Sequence, residues 1–202
     1  LRPGMVAIDI GANVGYHALR MAKAVGPSGK VIAVEPTRHA VERLRDNAAL
    51  NDLPALTVTQ VALDDANLGV KEIAFKSSYR LDGRLSEQIE PIEIVTLESS
   101  LNRLNVTRVD FIKCDVDGYE AKVFRGARAI LERDLPILFF EVTPSEMIRL
   151  GDDPATFFDS LHGMGYRFRK EKGEAVGNWR VLLDGLPSGA SFNLYASAND
   201  DV

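Results

Sequence analysis

Residues 6–15 read VAIDIGANVG, and this stretch near the start of the chain decides the fold. An apolar run of strand length carries Asp9 near its end and is followed by glycines at positions 11 and 15. Glycine permits a positive φ and a close approach to the backbone, and Asn13 suits a left-handed position almost as well. Helical periodicity from Val14 to Val25 follows. The stretch therefore predicts a strand, a tight turn and a helix whose N-terminal N–H groups face the turn.

Strand-like apolar runs alternate with segments of helical period along most of the chain. This alternation indicates a mostly parallel sheet with helices on both faces, and two late strands with little helix between them predict an antiparallel hairpin at one edge. The predicted strands are 5–10, 31–34, 56–63, 109–114, 136–142, 166–169 and 192–196. The predicted helices are 14–25, 37–50, 97–104, 120–131 and one that begins at 153–154.

Residues 68–95 interrupt the alternation. Val70–Lys76 and Ile92–Leu97 have strand character, and a polar stretch over 77–90 lies between them. We interpret the segment as a hairpin inserted into a single domain that spans 1–202. Because the chain opens at Leu1, immediately before the first strand and without a methionine, we expect that residues N-terminal to it are absent from this sequence.

Composition narrows the function classes. The 202 residues are 46% hydrophobic and 26% charged, which excludes collagen-like, low-complexity and disordered chains. A net charge of −5 argues against nucleic acid as a partner. No apolar run approaches the ~20 residues that cross a bilayer, so no membrane span is expected. A lone cysteine, Cys114, is typical of a reducing compartment, which predicts a cytoplasmic location; the oligomeric state is not indicated.

The spacing around the glycines favours one kind of ligand. The pattern D-x-G-x-N-x-G at residues 9–15 departs from the G-x-G-x-x-G fingerprint of dinucleotide sites, which argues against a nicotinamide oxidoreductase. An acid, Asp9, two residues before Gly11 suits a ligand with a cationic amino group and no pyrophosphate, such as S-adenosylmethionine. For this segment alone, a strand-to-helix turn that uses glycine only for its geometry is the alternative.

Two further strand ends add candidate ligand contacts, because ligands of open α/β sheets bind beyond the carboxyl ends of the strands. Glu35, followed by Pro36, ends the second strand about twenty residues after Gly15, where a carboxylate can accept both hydroxyls of a ribose. The third strand ends in Ala62 and Asp64, an apolar surface beside a polar group that suits an adenine ring. Solvated strand-end acids are the alternative interpretation.

Polar residues at the ends of the fourth and fifth strands are the candidates for chemistry. Lys113, Asp115 and Asp117 would share one face of an extended strand. Carboxylates beside a lysine can position an acceptor hydroxyl, act as a base or hold a hard metal ion. Capping of the next helix by Asp117 or Glu120 is the alternative. Glu141 ends an apolar run and is a candidate wall of the site.

Because metal-ligand spacings such as H-E-x-x-H are missing from the sequence, no metal is expected.

The motif G-A-N-x-G-Y at 11–16 occurs together with D-F-I-K-x-D-x-D-G-Y-E at 110–120. With residues 34–36, 47–51, 95–97 and 140–142, they resemble the FkbM-type family of S-adenosylmethionine-dependent methyltransferases, over about Gly4 to Val142. The resemblance implies a class I methyltransferase fold: an α/β, Rossmann-like three-layer sandwich with a mostly parallel seven-stranded sheet whose last strand is inserted antiparallel. It also implies O-methylation of a hydroxyl on a small molecule or a sugar or glycan.

The resemblance assigns roles to the residues singled out above. It implies that S-adenosylmethionine is the cofactor and that its methionine part is lined by Asp9, Gly11, Asn13 and Gly15. Glu35 would hold the ribose, and residues 62–64 would flank the adenine. Asp115 would close the site. This chain has Asp117 where the family pattern often has Glu, which shortens the reach of that acid.

Alternative functions remain open at this point. A methyltransferase acting on protein or nucleic acid is one, although Asp115-Val116-Asp117-Gly118 is not the Asn/Asp-Pro-Pro-aromatic run of an enzyme that methylates base nitrogens. A non-catalytic cofactor-binding domain of a larger glycan-modifying protein is another. Polar residues at Lys113, Asp115 and Glu141 argue against lost catalysis, and Asp115 is the first candidate for the general base.

Overall fold

The computed structural model describes residues 1–76, 87–187 and 189–198. Its strands are β1 (Val6–Ile10), β2 (Lys30–Val34), β3 (Leu56–Thr59), β4 (Ala62–Leu63), β5 (Gly69–Lys76), β6 (Glu87–Val95), β7 (Phe111–Cys114), β8 (Ile137–Val142), β9 (Arg167–Lys170), β10 (Ala175–Val176) and β11 (Phe192–Ser197). Its helices are α1 (Tyr16–Val25), α2 (Arg38–Leu50), α3 (Leu97–Arg103), α4 (Glu120–Arg125), α5 (Arg128–Asp134), α6 (Pro144–Arg149), α7 (Pro154–Gly163) and α8 (Trp179–Asp184).

The larger sheet has the strand order β10-β9-β11-β8-β7-β1-β2-β3. Strands β8, β7, β1, β2 and β3 run parallel, whereas β11 is antiparallel to both β8 and β9, and β10 is antiparallel to β9. The expected α/β architecture, mostly parallel with antiparallel strands at one edge, is confirmed. Among the described residues this sheet has eight strands rather than seven, because Ala175–Val176 pair with β9 after a turn.

Both faces of the larger sheet are covered, which explains why its central strands are continuously apolar. Ala7 and Ala33 point to one face, where they pack with Ala18 and Met21 of α1. The alternate residues, among them Ile8 of β1, belong to a larger core on the opposite face. That core also contains apolar residues of α3, α4, α5 and α7. The central strands therefore have little freedom to shift, and their carboxyl ends are held in register.

The expected third strand, 56–63, is divided into two. β3 ends at Thr59, and Ala62–Leu63 leave the larger sheet to pair with β6. A three-stranded sheet results, in the order β4-β6-β5, and β5 pairs antiparallel with β6. The predicted hairpin strands correspond to β5 and β6, while residues 77–86 of the polar stretch between them lie outside the described residues.

The expected single helix over 120–131 is also divided. α4 ends at Arg125 and α5 begins at Arg128, with Gly126 between them. At Gly126 a Cβ atom would lie 2.2 Å from the carbonyl oxygen of Asp64, so the helix breaks where another segment of backbone crosses it. Helices α6 and α8 were not predicted; each has six residues, too few for a periodic pattern.

Across residues 1–76, 87–187 and 189–198, none of the helices combines the length and the apolar character that crossing a membrane requires.

Candidate active site

Four neighbouring parallel strands end along one edge of the larger sheet, in the order β8, β7, β1, β2. Glu141 is the last but one residue of β8, and Asp115, Gly11 and Glu35 follow β7, β1 and β2. The chain leaves β1 toward β2 on one side and returns in β7 on the other, which is the switch point where open α/β sheets bind ligands. The structure therefore brings these four predicted residues to one edge.

The glycine loop connects β1 to α1 with three residues of positive φ: Gly11 at 73°, Asn13 at 50° and Gly15 at 94°. The N–H groups of Gly11 and Ala12 both donate to the carbonyl of Val34, at 3.0 Å each. A Cβ at Gly11 would lie 1.9 Å from the carbonyl oxygen of Asp115. Close packing of two backbone segments is thus sufficient to require glycine at position 11.

A buried ion pair lies directly beneath this loop. Asp9 on β1 and Lys113 on β7 are partners in the strand register, and both are buried. The Nζ of Lys113 lies 3.3 Å from Oδ1 of Asp9 and 3.3 Å from Oδ2 of Asp115, and it donates to the Gly11 carbonyl at 3.3 Å. Neither carboxylate oxygen of Asp9 receives a hydrogen bond of good geometry from the described part of the chain.

The pKa values in this cluster show which of the candidate residues could accept a proton. Burial alone would lower the pKa of Lys113, but the carboxylates of Asp9 and Asp115 outweigh it and hold the pKa above its ordinary value. Burial raises the pKa of Asp9, and the attraction of Lys113 opposes that rise only in part. A charged ammonium has no lone pair to accept a proton, so the candidate bases are reduced to Asp115 and Glu141.

Glu35 is buried at the end of β2, and its carboxylate organises the chain around it. Oε2 accepts from the backbone N–H of Asn13 at 2.9 Å, which ties the glycine loop to β2. Oε1 accepts from the N–H of Thr37 at 2.9 Å and from its hydroxyl at 2.6 Å. Pro36, which lies between Glu35 and Thr37 in the chain, is half-buried. Three of about four acceptor positions are therefore occupied, and a ligand hydroxyl at Glu35 would use the remaining one or displace the Thr37 hydroxyl.

Ala62 and Asp64 lie on the smaller sheet and not on the larger one. Ala62 is half-buried in β4, and Asp64 follows that strand, with Oδ1 accepting from the N–H of Asp65 at 2.7 Å. Burial raises the pKa of Asp64. Asp65 pairs with Arg125 at 2.9 Å, which fixes this segment against the end of α4.

Asp117 does not share the face of Lys113 and Asp115, contrary to the expectation from alternation. The chain leaves the extended conformation after Asp115, and Asp117 and Gly118 both have positive φ, 53° and 100°. A Cβ at Gly118 would lie 2.6 Å from the Cβ of Glu146, so this turn packs closely against α6. The turn directs the chain into α4, and Asp117 is exposed.

Glu120 is a functional candidate that the sequence indicated only as a helix cap. It is fully buried as the first residue of α4, and Oε1 accepts from the N–H of Val116 at 2.9 Å. Oε2 is buried without a hydrogen-bond partner among the described residues. Burial, helped by the charges of Glu141 and Asp115 and opposed by backbone hydrogen bonds, raises the pKa of Glu120 to about 7. An acid in the first turn of a helix is usually interpreted as interacting with the helix dipole, so the local sequence does not predict that Glu120 is buried.

A model of the methyltransferase FkbM domain matches residues 9–168, more than three quarters of the chain. The chain belongs to the FkbM methyltransferase family. The matched region contains all of the site described above, and the cofactor of this family of methyltransferases is S-adenosyl-L-methionine.

Individual relatives of this FkbM-family chain are matched over shorter stretches. It is 42% identical over 74 residues to protein-L-isoaspartate O-methyltransferase of Methanothrix thermoacetophila, covering 37% of this chain and 34% of that protein. It is 36% identical over 52 residues to arsenite methyltransferase of Halobacterium salinarum, covering 26% of this chain and 13% of that protein. The matches thus span about a third or less of these curated relatives.

Solved structures confirm the class I methyltransferase fold. A methyltransferase FkbM from Methylobacillus flagellatus aligns with a TM-score of 0.60 at 15% identity, covering 97% of this chain and 44% of that one. Fibrillarin of Aeropyrum pernix, solved with natively bound S-adenosyl-L-methionine, aligns with a TM-score of 0.55 at 15% identity, covering 96% of this chain and 67% of that one. At these identities the likeness concerns the fold.

The residues present at the edge of the sheet fit the family's cofactor. Asp9 offers buried carboxylate oxygens that lack well-aligned donors in the described part of the chain, and a ligand with a cationic amino group would supply such donors. The glycine loop exposes backbone to the same place, and Glu35 lies beside it at the end of β2. Asp9 and the glycine loop thus suit the amino-acid part of the cofactor, and Glu35 suits its sugar.

Proposed function

We propose that this chain transfers a methyl group from S-adenosylmethionine to a hydroxyl oxygen of a small molecule or of a sugar or glycan. The observation that carries the proposal is the buried Asp9–Lys113 pair, which touches both the glycine loop and Asp115. This pair joins a site suited to the methyl donor with an exposed carboxylate suited to the acceptor. The proposal takes residues 1–202 as one methyltransferase domain with the β5–β6 hairpin inserted.

The donor side of the site is built from β1, β2 and the loop between β1 and α1. Asp9 binds the cationic amino group, and Gly11, Asn13 and Gly15 shape the backbone that surrounds the methionine part. Glu35 orders the loop through Asn13 and binds the ribose, with Pro36 beside it. Residues 62–64 border the adenine. When bound, the cofactor supplies an electrophilic methyl group on a positively charged sulfur.

The acceptor side is built from the ends of β7 and β8. Asp115 is exposed, and Glu141 lies on the neighbouring strand, because Cys114 and Phe140 are partners in the register. Asp115 accepts the proton of the acceptor hydroxyl, while Glu141 forms a wall that orients it. Holding the reacting groups in line removes much of the entropic cost of their encounter, and a positioned base typically adds about 10²–10⁴-fold in rate.

Oxygen is supported as the acceptor atom by two observations. The carboxylate of Asp115 has lone pairs for a hydroxyl proton, and the relative matched over 74 residues is an O-methyltransferase. A net charge of −5 disfavours a polyanionic acceptor such as nucleic acid. A small hydroxylated molecule or a glycan offers a hydroxyl oxygen without a polyanionic surface.

Asp115→Asn is expected to lower the rate of methyl transfer by about 10²–10⁴-fold, because the amide cannot accept the hydroxyl proton. The measurement is transfer of a labelled methyl group to a panel of monosaccharides, glycosides, phenols, RNA and peptides. S-adenosylhomocysteine affinity is measured alongside, and it should change far less than the rate. Asp46→Asn, on the exposed surface of α2, is the matched control. Undiminished turnover in Asp115→Asn would remove Asp115 as the base, and transfer only to RNA or peptides would remove the proposed acceptor class.

A further inference from the structure

One ammonium group joins three segments of the chain beneath the glycine loop. The Nζ of Lys113 lies 3.3 Å from an oxygen of Asp9 on β1, from the carbonyl of Gly11 in the loop and from an oxygen of Asp115 after β7. The contact with the Gly11 carbonyl is a hydrogen bond, and the two contacts with the carboxylates are ion pairs. Lys113 is therefore held by the protein on three sides.

The carboxylate of Asp9 is short of hydrogen-bond donors in the part of the chain that the structure describes. It is fully buried, and within the described residues neither of its oxygens has a well-aligned donor, whereas Asp115 is exposed and can be hydrated. A buried ion is costly unless it is paired and hydrogen-bonded. Lys113 supplies the opposite charge but not well-aligned hydrogen bonds, and a ligand ammonium at Asp9 would supply them.

We propose that Lys113 is a positioning residue of the donor site, which keeps Asp9 ionised and fixes the Gly11 carbonyl so that Asp9 can receive the ammonium of the methyl donor. The proposal rests on the proposed function, since it specifies how that site binds its donor. It replaces the expectation that Lys113 takes part in the chemistry directly.

The ionisation of Asp9 depends on the groups that face it from three elements. Lys113 on β7 and His17 on α1 favour the carboxylate, whereas Asp115 beyond β7 opposes it, and burial opposes it most. Without the charge of Lys113, burial and Asp115 are balanced only by His17. The carboxyl of Asp9 then holds its proton at higher pH, and the site loses the charge that attracts an ammonium.

Lys113→Gln tests whether the charge of Lys113 keeps Asp9 ionised, because glutamine can still donate to the Gly11 carbonyl but carries no charge. S-adenosylhomocysteine is titrated calorimetrically from about pH 5.5 to about pH 7.5, where its ammonium stays charged. We expect the variant to bind up to about tenfold more weakly than the wild type at the acid end, because more of its Asp9 is protonated there, and the difference in affinity to narrow toward the alkaline end. Lys23→Gln, an exposed lysine near the end of α1, should follow the wild type.

The number of protons exchanged on binding provides a second readout, obtained from titrations in buffers of different ionisation enthalpy. At neutral pH the wild type should release almost no proton on binding, because Lys113 keeps Asp9 ionised, whereas Lys113→Gln should release a measurable fraction of one. An equal loss of affinity at every pH, or no loss, would overturn the proposal. If the variant does not fold, the wild type still tests the proposal: release of a proton when the wild type binds S-adenosylhomocysteine at neutral pH would overturn it. Absence of S-adenosylhomocysteine binding to the wild type would instead refute the proposed function.

Discussion

Gly11→Ala is expected to destabilise the protein by roughly 2–5 kcal/mol and to abolish binding of S-adenosylhomocysteine. The added Cβ would lie 1.9 Å from the carbonyl oxygen of Asp115 and 3.0 Å from its carbonyl carbon. Both are backbone atoms, and the N–H of Asp115 is held by the carbonyl of Ile10 at 3.1 Å, so the segment cannot move away without breaking a bond between β1 and β7. The loop and the end of β7 would separate, and the proposed donor site would be disrupted.

Gly26→Ala is the matched control for Gly11→Ala. Gly26 also has a positive φ, 64°, with ψ at −172°, and no atom of the described residues lies within 4 Å of the position that its Cβ would take. Alanine there should cost only the strain of a backbone conformation that favours glycine, about 1–3 kcal/mol. Urea unfolding and calorimetry of both variants separate conformational strain from steric overlap. Equal destabilisation by the two substitutions would contradict the close approach of Asp115 to the loop.

Glu120→Gln is expected to stabilise the protein at alkaline pH by up to about 3 kcal/mol and to have little effect in acid. In the folded chain burial raises the pKa of Glu120 from 4.5 to about 7. Between these values the unfolded chain binds fewer protons than the folded one, so the wild type loses stability as pH rises through this window. Above it, the folded protein contains a buried carboxylate, one oxygen of which has no hydrogen-bond partner among the described residues. Glutamine removes that charge and keeps an acceptor for the N–H of Val116.

The measurement for Glu120→Gln is the free energy of unfolding in urea at several pH values on either side of the window. Glu98→Gln, in the exposed first turn of α3, is the control and should show the wild-type pH dependence. If Glu120→Gln keeps the wild-type slope, Glu120 ionises as an ordinary carboxyl and its burial has no electrostatic cost.

Strand ends were the most predictable part of the site. Apolar runs that stop at Glu35 or Asp115 identify the carboxyl ends of parallel strands, and parallel strands bring those ends to one edge. The glycine loop was predictable for the same reason, since its glycines follow such a run directly.

Contacts between distant segments account for what the sequence did not reveal. The crossing of Asp64 over Gly126 divides the expected helix, and pairing of Ala62–Leu63 with β6 divides the expected strand. Neither neighbour is near in sequence. Burial of Glu120 likewise depends on how α4 packs on the sheet. The roles assigned to individual site residues stay predictions until variants are measured.

Parallel calorimetric titrations with S-adenosylhomocysteine and with NAD test the central claim most directly. We expect S-adenosylhomocysteine to bind the wild type with one site per chain, Asp9→Asn to lose that binding because the ammonium of the ligand has no carboxylate partner, and NAD not to bind. Binding of NAD without binding of S-adenosylhomocysteine would contradict a methyl-donor site at the glycine loop.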